Sequence, residues 1–313
     1  MSSAAGEISR TSPQGQRSPL PADRCAGVCM HITSLPGDFG IGEIGIQARR
    51  FVDTLAAMGI RIWQVLPTGP TAYGDSPYQP LSTFAGNEML IDVGELIQLG
   101  LVKEEEAAPL RKLPVDTVDY GELIPLKNEI LSRAANRFED LADDQLKRAC
   151  DRFVATQGPV WLHDYALYRI LKSRHGQRPW TEWNRPFVRR EPAAMRKIED
   201  SEADQIAELK IIQFLFHHQW QRLRRHAHEK GVLLFGDMPI YISFDSADAW
   251  AHPEILRIDK DGHPDAVAGV PPDYFSEDGQ LWGNPLYDWD YHAKGDFRWW
   301  VARLRHTAKQ MDL

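Results

Sequence analysis

Carboxylate, hydroxyl and aromatic side chains gather in this chain directly behind short apolar runs. Asp237 stands in Gly236-Asp237-Met238-Pro239-Ile240-Tyr241, immediately after the apolar residues 232–235. Behind residues 60–66 come Pro67-Thr68-Gly69-Pro70 and then Tyr73-Gly74-Asp75-Ser76-Pro77-Tyr78-Gln79. Behind residues 27–32 comes Thr33-Ser34-Leu35-Pro36. In a parallel α/β barrel the residues at the strand C-termini build the active site. Rings beside carboxylates and hydroxyls suit sugars, because a pyranose packs its C–H face on a ring while its hydroxyls need fixed polar partners. Taken singly, each residue also has a plainer role. Asp237 could cap a loop or pair with an arginine, Tyr73 and Tyr78 could pack at a rim, and Trp250 and Trp289 read as core.

Such groups need a frame to hold them. Residues 1–24, rich in Ser, Pro, Gly and Arg, read as a flexible leader that buries too little to offset its ordering entropy. Residues 27–32 read as a buried strand. Ala48, Phe51, Val52, Leu55 and Met58 then recur at helical spacing until Gly59 stops the pattern. Residues 60–66 form a second buried strand closed by Pro67. Strand, helix and strand with short connections make the unit of a parallel α/β sheet or barrel. Residues 93–202 interrupt that rhythm with helical patterns: Leu131, Ala134 and Phe138 share one face, and Leu162, Tyr165, Ala166 and Ile170 another. A strong apolar stripe (Ile206, Leu209, Ile212, Phe216, Trp220, Leu223) leads to Lys230-Gly231 and a third strand at 232–235. The expected architecture is α/β, of (β/α)8 TIM-barrel type, with about three of the eight strands present. Residues 25–92 open the barrel, 93–202 form a mainly helical inserted subdomain, and 203–313 continue the barrel and stop before a fourth strand.

Composition excludes several classes. The 313 residues carry a formal net charge of −8, which argues against a nucleic-acid partner. The basic stretches Arg189-Arg190 and Arg222-Leu223-Arg224-Arg225 read as solvated surface among acidic residues. Three cysteines cannot form a fully paired disulfide framework, and Cys25 and Cys29 have no partner pair at zinc-site spacing. No metal site is expected. No apolar run reaches the length of a membrane span, and the first two dozen residues lack a secretory apolar segment. The expectation is a soluble, cytoplasmic protein. No glycine-rich phosphate loop or dinucleotide fingerprint is visible, so kinases and dehydrogenases fit poorly.

Seven motifs occur in an order that resembles the 4-α-glucanotransferases (amylomaltases), over roughly residues 27–313. They are Pro67-Thr68-Gly69-Pro70, residues 73–79, Phe84-Ala85-Gly86-Asn87, Trp161-Leu162-His163-Asp164-Tyr165-Ala166, residues 236–241, Val270-Pro271-Pro272-Asp273-Tyr274-Phe275 and residues 280–287. The resemblance implies transfer of α-1,4-glucan segments between maltooligosaccharides or to glucose, by a retaining mechanism without metal or organic cofactor. It implies that Asp237 fixes hydroxyls of the glucose at the cleaved bond, that Tyr78 stacks on that sugar with Ser76 nearby, and that Tyr73 touches glucan further away. It makes Tyr274 and Phe275 part of a mobile lid, with Trp282 and Asn284 closing it. The family's Arg-Ile-Asp-His-type nucleophile motif, its acid/base glutamate and its final aspartate find no counterpart before Leu313. No catalytic residue is therefore assigned, and the chain alone is expected to be inactive. The alternatives are a non-catalytic glucan-binding short product or an α-amylase-type hydrolase.

Overall fold

The computed structural model describes residues 24–71, 73–259 and 261–313, with the side chain of Tyr73 also outside the described set. The leader expected over 1–24 lies, apart from Arg24, outside the described residues. Strands β1 (Gly27–Cys29), β2 (Ile62–Gln64) and β3 (Leu233–Phe235) pair in parallel in the order β1-β2-β3. Trp63 sits opposite Val28 on one side and Leu234 on the other. Each strand is shorter than its apolar run for a local reason. After β1 the chain coils at Ile32–Ser34, where Leu35 N donates to Ile32 O (2.9 Å). After β2 it meets Pro67, which has no N–H for a ladder.

Helix α1 (Ile46–Ala57) buries Ala48, Val52 and Leu55 and ends at Gly59, whose φ of 73° is the left-handed turn a glycine permits. The layer of helices that follows contains α2 (Tyr120–Asn136), α3 (Asp144–Gln157), α4 (His163–Arg174) and α5 (Ala203–Glu229). Asp119 and Asp143 cap α2 and α3 by accepting from Glu122 N (3.2 Å) and Leu146 N (2.8 Å). The predicted apolar faces of this layer are buried, Leu209 only in part. They share one continuous core with the strands, from Ile32 to Met311.

Two buried glutamines of α5 bind this layer to the chain behind β2. Gln213 accepts from Gly86 N (2.9 Å) and donates to Gly86 O (2.9 Å). Gln219 does the same to Asp92, at 2.7 and 3.1 Å. Each primary amide replaces a missing backbone partner. At Gly86 a β-carbon would stand 2.0 Å from the Phe216 ring, so this approach needs glycine.

Four readings of the sequence are revised. The lid segment carrying Tyr274, Phe275, Trp282 and Asn284, read as a mobile loop over 271–285, is built on an antiparallel hairpin of β4 (Val267–Val270) and β5 (Gln280–Pro285). Its prolines and glycines hide the period-two pattern that marks a strand. Helix α6 (Arg298–Gln310) leads into Met311–Leu313, which lies along β3 on the side away from β2. Asp312 N donates to Leu234 O (2.9 Å), and Gly236 N donates to Leu313 O (2.9 Å). The chain thus already occupies the position next to β3, a few residues earlier than expected for a fourth strand. Three residues are too few to show a period. Among the five arginines read as solvated, Arg222 pairs with buried Glu95 (3.0 Å), Arg224 pairs with Asp312 (2.6 Å), and Arg190 lies over the Trp250 ring (4.2 Å). Trp250 is core as expected, whereas Trp289 is 52% exposed and stacks on Trp300 (5.9 Å, 21°). Among the described residues no helix is long and apolar enough to cross a membrane.

Candidate functional site

Parallel pairing brings the ends of β2 and β3 side by side, so their following loops emerge together. Asp237 comes two residues after β3 and is half-buried. Tyr78 rises from the loop behind β2, whose base is closed by an antiparallel bridge between Thr71 and Pro80 and by Leu81 N donating to Pro70 O (2.8 Å). The Tyr78 hydroxyl donates to Asp237 Oδ2 at 2.8 Å across 159 positions of sequence. That hydrogen bond, with some desolvation, raises the phenol above its ordinary value and keeps it protonated. Tyr78 remains 45% exposed, so its ring offers an open face beside a carboxylate. Such a pair can stack a sugar ring and accept from its hydroxyls.

The remaining candidates are placed differently. Ser76 shapes the turn, its Oγ accepting from Tyr78 N at 3.4 Å. Tyr73 opens the short turn Tyr73–Asp75, which Gly74 enters at φ 78°; nothing further is described of its side chain. Tyr274 and Phe275 stand 98% and 88% exposed between β4 and β5, edge to face with centroids 5.8 Å apart. Asp273 shapes that tip by accepting from Phe275 N (2.9 Å) and Ser276 N (3.0 Å). Trp282 lies on β5, 43% exposed and 6.3 Å from the Tyr241 ring. Asn284 is buried, and its amide donates to Ile242 O at 2.9 Å. The structure therefore joins Asp237 to Tyr78 and leaves the two tip rings in solvent.

Sequence reasoning gave no role to two residues that hold this region. Tyr287 donates to Ile240 O (2.9 Å), and Arg303 of α6 reaches Pro239 O and Ile240 O. Tyr287 closes the 280–287 motif, a signal that was present. Arg303 is one arginine in an amphipathic helix and carries no local signal.

Asp237 also lines a pocket with Thr68, Ser82, Arg303 and His306. His306 sits against Phe84 (5.3 Å) and Trp161 (5.8 Å), and His217 of α5 against Phe153 (5.0 Å). Burial first, then neighbouring cations (Lys309 for both, with His218 facing His217 and His217 facing His306), lowers both imidazoles to about 4. Between pH ~6.5 and ~4 the folded chain therefore binds fewer protons than the unfolded one. Their stabilisation is full above pH ~6.5 and is lost as the pH falls toward 4, by roughly 1–2 kcal/mol each at pH 5. Urea midpoints should fall from pH 7 to pH 5, and His306→Phe should flatten that fall. A slope unchanged in the variant would show that His306 does not carry its share.

A family profile described as 4-alpha-glucanotransferase matches residues 30–313. The chain belongs to the 4-alpha-glucanotransferase family. It is 45% identical to the 4-alpha-glucanotransferase of Thermus thermophilus over 290 residues, covering 93% of this chain and 57% of that protein. With the Aquifex aeolicus enzyme of the same name it shares 42% over 293 residues, covering 92% of this chain and 58% of the relative. The solved amylomaltase from Streptococcus agalactiae, in complex with acarbose, superposes with a TM-score of 0.87 at 39% identity, over 93% of this chain and 58% of that one. The chain thus spans less than two thirds of the length of these 4-alpha-glucanotransferases.

Proposed function

We propose that the whole protein is a 4-alpha-glucanotransferase (amylomaltase) of (β/α)8 barrel architecture, acting on α-1,4-glucans and maltooligosaccharides. The observation that carries this is the Tyr78–Asp237 contact, an aromatic face and a carboxylate set side by side at the ends of β2 and β3 in a member of this family. In this reading Asp237 accepts from hydroxyls of the glucose at the cleaved bond and Tyr78 stacks on its ring. Ser76 holds the turn that presents Tyr78, and Tyr73 meets glucan further out. The exposed rings of Tyr274 and Phe275, on a hairpin whose base carries Trp282 and Asn284, close over bound glucan and shield the intermediate from water. The retaining chemistry requires two carboxylates ~5–5.5 Å apart, one attacking the anomeric carbon and one serving as acid and then base. Neither is assigned within residues 1–313, which supply the wall that grips the donor sugar. No step calls for a metal or organic cofactor.

Maltotriose incubated with the whole protein tests the reading. A ladder of longer maltooligosaccharides together with glucose is the expected product. Glucose and maltose alone would replace transfer by hydrolysis, and unchanged maltotriose would remove the enzymatic reading.

A further inference from the structure

Arg303 is 1% exposed, yet among the described residues no carboxylate hydrogen-bonds its guanidinium. Asp248, the carboxylate that attracts it, is occupied by Thr83 N (2.8 Å) and Thr83 Oγ1 (3.1 Å). The guanidinium lies over the rings of Trp299 (5.5 Å) and Trp300 (5.0 Å). Its hydrogen bonds go to Pro239 O, to Ile240 O (3.2 Å) and to the Tyr287 hydroxyl (3.2 Å). A buried guanidinium with no carboxylate in hydrogen-bond contact is unfavourable unless its geometry serves something else. Here it meets backbone oxygens of a segment that has left β3 and has no ladder to satisfy them. Tyr287 OH donates to the same Ile240 O (2.9 Å), and Asn284 holds Ile242 O. These carbonyls follow Asp237 by two to five residues.

We propose that Arg303 is a positioning residue for sugar binding: by gripping the carbonyls of Pro239 and Ile240 it fixes the segment that aims Asp237 at Tyr78. Two donors of a rigid planar fork set the segment's direction as well as its distance, which a single ammonium cannot do. Arg303 touches neither Tyr78 nor the open face where a sugar would lie, so its effect passes through Asp237. The inference rests on reading Asp237 as a sugar-binding residue.

A double-mutant cycle in the whole protein tests it, with maltoheptaose affinity measured by calorimetry for wild type, Arg303→Met, Asp237→Asn and the pair. Arg303→Met is expected to weaken binding roughly tenfold in the wild-type background and less than about twofold in the Asp237→Asn background. Arg303→Lys, which keeps the charge but loses the fork, is expected to fall between, about threefold weaker. Equal weakening in both backgrounds would assign Arg303 to general packing and overturn the proposal. So would wild-type affinity in a folded Arg303→Met, or in Arg303→Lys should the methionine variant not fold. Wild-type affinity in Asp237→Asn alone overturns the reading of Asp237 and the proposal with it, an outcome distinct from the others.

Discussion

Asp237→Asn in the whole protein is expected to weaken maltoheptaose binding roughly 10- to 100-fold while leaving the fold intact. The substitution keeps the shape and an oxygen for the Tyr78 hydroxyl, now 2.8 Å away, so the loop keeps its internal hydrogen bond. It removes the charge that strengthens hydrogen bonds from sugar hydroxyls, each such bond being stronger by ~1 kcal/mol or more than its neutral equivalent. It also turns an acceptor edge into a donor. Asp237 is half-buried in the open mouth of the site, so solvent screens a part of that loss. Tyr78→Phe, which keeps the stacking face and removes the tether, is expected to lose several-fold less. Calorimetric affinities for the two variants, with near-ultraviolet circular dichroism to verify packing, decide the matter. If Asp237→Asn binds as wild type, the carboxylate only braces Tyr78, and the plainer loop-cap role stands.

Lys127→Met is expected to be the most destabilising single change in the helical layer, by about 3–5 kcal/mol. Lys127 is 0% exposed on α2 and donates to Glu43 and to Met89 O (2.7 Å). Glu43 is 5% exposed and also accepts from Val93 N at 3.4 Å. Burial pushes its carboxyl upward, and the Lys127 ammonium pulls it back. Removing the lysine leaves the acid buried without its cation and orphans the Met89 carbonyl. The melting temperature of the whole protein should fall on the order of 10 °C. A double change to Glu43→Gln and Lys127→Met should recover a large part of that fall, since the glutamine removes the acid that the lysine substitution alone leaves without a partner. A drop within 2 °C or so for Lys127→Met, or no recovery in the double variant, would contradict this account of the pair.

What the sequence disclosed follows the range of the interactions involved. Gly59 and Gly231 announce the ends of α1 and α5 because a left-handed residue is a local requirement, and both take positive φ (73° and 75°). The stripe from Ile206 to Leu223 announces α5 because one face must meet the core. Within that stripe, Gln213 and Gln219 look like ordinary polar interruptions. Their partners are backbone groups 127 positions away, which no window on the chain reveals. The same holds for Asp312, which no motif in the sequence singles out. Its carboxylate binds Arg224 (2.6 Å) and accepts from Leu234 N (2.9 Å), seating the final residues beside β3. Asp237 and Tyr78 could be placed in one neighbourhood because strand ends in a parallel sheet share a face. The hairpin β4–β5 could not, because Pro271, Pro272, Gly269 and Gly279 suppress alternation, and its cross-strand pairing shifts register between Val267 and Gly269.

The paired glutamines carry a consequence for how the chain reaches this state. Gly86–Gln213 and Asp92–Gln219 close the same long loop that the pairing of Ile62 with Leu233 must close. The entropy of bringing distant ends together grows only slowly with the length between them and arises once. After the first of these contacts forms, the others enclose short segments and add their hydrogen bonds at small further entropic cost. The helical layer and the third strand should consequently lock in together, late and slowly, as long-range pairings do. A chain with both glutamines replaced by leucine would be expected to refold more slowly than its loss of equilibrium stability alone requires, because the fastener that holds the loop shut while β3 finds its register would be gone.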